Sequence, residues 1–203
     1  KSRAAEITRR RREAAAGLQP KVEEELRQLG MPKARFQADI QERANEAGRL
    51  VYSASGKDRV EFLISPNQGE PFRRLAQIVS GGEMSRIMLA LKNVLADAIG
   101  TLIFDEVDAG IGGEVALAVG ERLKRLAAAK QVLCITHLAT IAVRADNHIK
   151  VEKRTEGGRT VTRVEPVTGD ARREEVARML AGDKKGDMSL RHAEELLAKY
   201  GKP

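Results

Sequence analysis

The chain has 203 residues, 42% of them hydrophobic and 32% charged, which suits one medium domain, and it has no apolar run near the ~20 residues of a membrane-spanning helix. Aromatics are 3% with no Trp, which argues against a single-strand binder that stacks bases, whereas the net charge of +7 is compatible with nucleic acid or nucleotide partners. The one cysteine, Cys134, leaves neither a disulfide nor a Cys-based metal site, and without a visible signal peptide the chain reads as cytoplasmic.

The chain begins at Lys1 rather than Met, as a fragment of a longer polypeptide would. Residues 3–16 are rich in Ala, Arg and Glu and predict a helix that ends at Gly17. Pro20 suits the first position of a second helix, running to Leu29 before Gly30 and Pro32. Leu18, Val22, Leu26 and Leu29 give it one apolar stripe. Residues 1–32 therefore read as a helical stub, separate from residues 33–203. Within the stub, Arg9-Arg10-Arg11-Arg12 is either a solvated face paired with Glu6 and Glu13, the favoured reading, or a phosphate-contacting run.

Phe36, Ala38 and Ile40 alternate with polar residues as in a half-buried strand, and Val60–Ile64 reads as another, with a turn at 53–58 between them and a loop at 65–71. A helix is expected from Gly82 to Ala98, with Met84, Ile87, Met88, Leu91, Leu95 and Ala98 on one face. A buried strand Thr101–Phe104, a helix Glu114–Ala128 and a buried strand Gln131–Thr136 follow. After a short helix come two strands, His148–Lys153 and Thr160–Val167, joined across Gly157-Gly158, then helices near 171–181 and 188–199. Short apolar strands between amphipathic helices predict an α/β fold, a mostly parallel sheet flanked by helices.

Three segments could carry chemistry. Thr101-Leu102-Ile103-Phe104-Asp105-Glu106 places two carboxylates at the C-terminal end of a buried strand, where ligands of open parallel sheets bind. The first carboxylate can hold Mg²⁺ and the second can polarise a water; alone, the segment is equally a strand that ends in an acidic loop. Ser80-Gly81-Gly82-Glu83 opens a helix. As a capping box it has a purely structural use, favoured when it is taken alone; as a glycine-rich helix start it can receive an anion, provided Glu83 turns away. His137 follows the second buried strand and is, by itself, an ordinary loop histidine or a donor to a phosphate oxygen. Ser80 to Asp105 and Glu106 to His137 each span one helix plus one strand, so right-handed crossovers would bring the acidic pair and His137 to one sheet edge.

Taken together, these motifs resemble the ATP-binding-cassette ATPases. Val79-Ser80-Gly81-Gly82-Glu83 resembles their signature motif, Ile103-Phe104-Asp105-Glu106 the Walker B strand, Val107-Asp108-Ala109-Gly110 the D-loop and His137 the switch histidine. The stretches from Ser80 to Lys92 and from Asp105 to Gly113 are similar, more narrowly, to the RecN family of bacterial SMC-like DNA-repair ATPases. That resemblance spans about Ala34 to Ala181 and implies the C-terminal lobe of an ABC/SMC-type P-loop NTPase head, with residues 1–32 as the base of a coiled-coil arm.

The expected phosphate-cradling loop is missing. Gly56-Lys57-Asp58 is the nearest candidate, but Val51 stands where its first Gly belongs and Asp58 where a Mg²⁺-binding hydroxyl belongs, so Lys57 reads as a solvated turn residue. The resemblance implies that an N-terminal half of the same protein supplies that loop. It also implies ATP and Mg²⁺ as cofactors, with Asp105 on the metal, Glu106 and His137 catalytic, and Ser80, Gly81, Gly82, Glu83 and Asp108 contacting nucleotide. The implied partners are a second protomer of a homodimer and DNA, with no membrane, and the implied place is the nucleoid-associated cytoplasm. Two other readings compete: a non-catalytic DNA-tethering or dimerisation module, and the ATPase domain of an ABC transporter. The segment from Val107 to Gly113 and the Arg-rich stub speak against the transporter.

Overall fold

The computed structural model describes residues 2–95, 99–182 and 186–201, in two compact units, 1–99 and 100–203.

The first unit opens with α1 (Ser2–Gln28), one continuous helix where the sequence predicts two. Gly17 and Pro20 both lie inside it. Nothing crowds Gly17, and Pro20 forfeits one backbone bond, a cost offset by burying Val22 and Leu26 further along the helix and Leu29 just past its end. Leu18 of the expected stripe is only half-buried. Three antiparallel strands follow: β1 (Arg35–Glu42), β2 (Asp58–Ser65) and β3 (Arg73–Arg74), in register through Phe36↔Ile64 and Leu63↔Arg74. Phe36 and Ile64 are fully buried, as the alternating pattern requires, and Phe36 packs obliquely on Phe62 at 5.2 Å. Then α2 (Gly81–Val94) packs on α1 and buries Ile87, Leu89, Ala90 and Leu91. It stops short of the expected end; Ala98 lies outside the described residues.

A polar cluster ties α1 to the β1–β2 hairpin. Asp58 is 1% exposed and receives the Thr8 hydroxyl at 2.8 Å and Arg11 Nη1 at 2.9 Å. Burial pushes the Asp58 carboxyl up, but those bonds and the charges of Arg11 and Lys57 outweigh it and hold the group below its ordinary value. Glu23 adds a second tie, accepting from the Phe36 amide at 3.0 Å. The arginine run divides accordingly: Arg9 pairs with Glu6 and Glu13, Arg10 with Glu6, and Arg11 turns inward.

The second unit holds β4 (Thr101–Phe104), α3 (Gly113–Ala127), β5 (Gln131–Cys134), α4 (Ala139–Ala142), β6 (His148–Glu156), β7 (Arg159–Val167), α5 (Gly169–Ala181) and α6 (Asp187–Tyr200). β4 and β5 pair in parallel, connected through α3. β6 and β7 form an antiparallel ribbon whose turn needs positive φ at Gly157 and Gly158, 58° and 79°. The architecture is α/β. Among the described residues the parallel pairing is confined to β4–β5, and the other two sheets are antiparallel. Val143, Val176, Ala177 and Ala193 form the centre of a core closed by α4, α5 and α6. On the β4–β5 pair, Leu102 and Phe104 are buried, while Ile103 at 70% and Ile135 at 61% exposure face outward beside Leu133.

Candidate functional site

The in-register parallel pairing of Phe104 with Cys134 decides what meets at the end of the sheet. The Ile135 amide adds one more bond, to the Phe104 carbonyl at 2.9 Å. Asp105 and Glu106 leave β4 where Thr136 and His137 leave β5, so the acidic pair and the histidine emerge at one end of one strand pair.

The loop after β4 is pinned from inside. Val107 is fully buried and Asp108 is 3% exposed, whereas Asp105, Glu106, Ala109 and Gly110 are exposed. Glu106 carries φ 55°, the one non-glycine in the left-handed region among the described residues. A side chain there costs about 1–2 kcal/mol. The turn that imposes it is closed by the Ala109 amide donating to the Glu106 carbonyl at 3.0 Å. The anchored pair at 107–108 thus holds the acidic pair out on a strained, fixed backbone.

One oxygen organises the rest. Asp108 Oδ2 accepts from the Thr136 hydroxyl at 2.5 Å and from the His137 amide at 2.9 Å, and it lies 3.0 Å from His137 Nδ1. Thr136 Oγ1 in turn accepts from the Leu138 amide at 3.0 Å. The His137 ring is otherwise open to solvent, with 72% of the side chain exposed. Thr136 is the participant that sequence reasoning missed, and its only signal was a hydroxyl directly before the histidine. Beneath the site, burial and the charges of Asp108 and Asp105 push the thiol of the half-buried Cys134 up to about 12, so it is a poor nucleophile.

Ser80, Gly81, Gly82 and Glu83 lie together in the first unit at the start of α2. Ser80 is the N-cap, its hydroxyl accepting from the Glu83 amide at 3.4 Å. Gly82 is buried and Gly81 exposed, and Val79 just before them is 94% exposed. Glu83 stays half-buried. Lys57 takes no phosphate-cradling position: it pairs with Glu42 beside the buried Asp58.

Asp105 is the residue suited to a hard cation, an exposed carboxylate at a strand end, and Mg²⁺ is commonly held by one or two carboxylates with water and phosphate completing its shell. The described residues hold no cluster of three metal-ligating side chains, so the donor set fits only an ion that brings the remaining ligands with it. No helix among the described residues is long and apolar enough to cross a membrane.

No protein-family model matches the chain. Curated relatives do. It is 51% identical over 193 residues to the DNA repair protein RecN of Treponema pallidum, covering 94% of this chain and 34% of that protein. To RecN of Deinococcus radiodurans it is 50% identical over 173 residues, 85% of this chain and 29% of that protein. To RecN of Bacillus subtilis it is 40% identical over 205 residues, 96% of this chain and 36% of that protein. The chain therefore spans about a third of the length of these relatives. Among solved structures, the Smc head domain with a coiled coil and joint from Pyrococcus yayanosii superposes with a TM-score of 0.51 at 19% identity, over 90% of this chain and 29% of that one, which establishes the fold alone.

Proposed function

Because this chain belongs to the RecN family along the third of its relatives' length that it spans, we propose that it is the C-terminal half of an SMC-like ATPase head that binds and hydrolyses ATP in DNA double-strand-break repair and recombination. The observation that carries this reading is the meeting of Asp105, Glu106, Asp108 and His137 at one end of the parallel β4–β5 pair.

In this mechanism Glu106, held outward by its left-handed backbone, orients and polarises the attacking water. His137 reaches a terminal phosphate oxygen from the adjoining strand end. Asp105 would hold Mg²⁺, which when bound neutralises charge on the phosphate oxygens. The phosphate-cradling loop comes from an N-terminal half of the same protein. A two-stranded parallel pair that exposes Ile103, Leu133 and Ile135 supports such a missing lobe, since so small a sheet is not stable without further neighbours. Ser80, Gly81 and Gly82 contact the nucleotide held by a second protomer, and the solvent-facing Val79 fits a surface that closes in trans. ATP then joins two heads, and hydrolysis releases them. Residues 1–32 form the base of a coiled-coil arm, DNA is the partner acted upon, and the site of action is the nucleoid-associated cytoplasm.

The test is ATP hydrolysis by the full-length protein with and without DNA ends. Glu106→Gln should still bind ATP and dimerise while turnover stalls; undiminished turnover removes Glu106 from the role. The 203-residue chain alone should hydrolyse ATP negligibly, and robust activity from it would require a phosphate cradle within these residues.

A further inference from the structure

The four arginines at 9–12 come apart in the structure. Arg9 and Arg10 are held by Glu6 and Glu13, and Arg11 turns in to Asp58 and the Ser55 carbonyl. Arg12 is exposed and makes no ion pair among the described residues; it lines an open groove with Thr8, Glu13, Glu42 and Lys57. The Arg11–Asp58 tie thus sets Arg12 beside the β1–β2 hairpin, and the segment joining those strands brings two more arginines. Arg43 donates from Nε to the Asp58 carbonyl at 3.0 Å, which leaves its terminal nitrogens uncommitted among the described residues. The Arg43 carbonyl takes the Val51 amide, and two residues on, the Asn45 side-chain oxygen takes the Arg49 amide at 2.9 Å. Arg49 is thereby fixed on the same loop, with its side chain exposed and unpaired among the described residues. We propose that Arg12, Arg43 and Arg49 form a contact surface for the phosphate backbone of DNA.

The charge balance carries this surface. Glu6, Glu13, Glu42 and Asp58 are each already paired with a cation. Glu46 is the one carboxylate of residues 42–58 left without a partner among the described residues. Three guanidinium groups therefore stand against one carboxylate on one side of α1 and its hairpin. A guanidinium offers two parallel N–H donors to two oxygens of a phosphate and gives up its water more easily than an ammonium does. The net charge of +7 favours the same kind of partner. Contacts of this type hold the backbone and read no bases, so they predict binding that is indifferent to sequence and steep in salt. The inference rests on the DNA-acting part of the proposed function, which supplies phosphate rather than an acidic peptide as the anion.

The test is binding of a labelled DNA duplex by the full-length protein without nucleotide, followed by fluorescence anisotropy over a salt series. The double variant Arg12→Ala/Arg49→Ala removes two side chains that bond nothing among the described residues, so its thermal midpoint should match the wild type. Lys21→Ala/Lys33→Ala removes the same charge from exposed, unpaired lysines in and beyond the C-terminal half of α1. The arginine variant should bind about 10-fold more weakly at physiological salt, and its plot of log Kd against log salt should flatten by about 2, near 0.9 for each lost phosphate contact. The lysine variant should follow the wild type. Adding Arg43→Ala should flatten the slope by about one more; no further change would overturn the three-arginine surface. Equal losses in the arginine and lysine variants would mean that bulk charge and not this surface holds DNA, and would overturn it as well. A wild type that binds while the arginine variant keeps its affinity and slope overturns this inference alone. A wild type that binds no duplex refutes the DNA-acting reading and the inference together.

Discussion

Arg11 Nη1 lies 2.9 Å from Asp58 Oδ2, joining two residues 47 positions apart and fastening the N-terminal helix to the β1–β2 hairpin. The carboxylate is wholly buried and the guanidinium only partly, so the pair depends on the Thr8 hydroxyl, which donates to Asp58, and the Ser55 carbonyl, which accepts from Arg11 Nη2 at 2.8 Å, to complete its hydrogen bonding.

Asp58→Ala should cost about 3 kcal/mol, the low end for a broken buried pair because Arg11 can still reach water. Chemical denaturation of the chain and its variant gives the difference directly. A loss below about 0.5 kcal/mol would mean that the tie is decorative.

The same carboxylate sets a pH dependence. Its folded-state value is lowered, so its stabilisation is fully present above the ordinary carboxylate range and is lost as pH falls through the lowered value. Denaturation midpoints measured from neutral pH downward should fall, and Asp58→Asn should start from a lower midpoint and fall less. Parallel acid limbs in the two proteins would contradict this.

Glu106 sits in backbone space that its side chain disfavours. Glu106→Asn, a residue tolerant of the left-handed region, should raise stability by about 0.5–1 kcal/mol while abolishing ATP turnover in the full-length protein. Opposite signs for stability and activity are the mark of strain kept for function. A destabilised variant would place the strain elsewhere.

Two helical glycines should respond oppositely to alanine. Nothing lies within 4 Å of a Cβ at Gly17, so Gly17→Ala should stabilise α1 by about 0.5–1 kcal/mol. At Gly120 a Cβ would stand 2.7 Å from Arg144 Cδ, and Arg144 is stacked 4.2 Å from the centre of the Tyr200 ring. Displacing that stack outweighs the gain in helix propensity, so Gly120→Ala should lower the thermal midpoint where Gly17→Ala raises it. Matching signs would refute the close approach of α3 to the Arg144 side chain.

Much of the fold was legible in the sequence because its signals are local. The alternation through Phe36, Ala38 and Ile40, the apolar run Thr101–Phe104 and the turn at Gly157-Gly158 depend on neighbours a few residues away, and each became the expected element, although the strands expected to be buried, β4 and β5, leave one face exposed. The acidic pair at the end of one strand and His137 after the next were likewise visible, since strand length and a right-handed crossover place them. Where the readings diverged, packing overrode local preference: Gly17 should end one helix and Pro20 open another, but Val22 and Leu26 are buried on a single continuous helix. Only the tertiary structure decided which way Asp108 faces and that Glu106 is held in the left-handed region, because both follow from bonds between loops 28 and 29 residues apart and from a tight turn closed by Ala109. Spacing along a chain specifies which strand ends meet; it carries no record of which oxygen accepts which proton once they do.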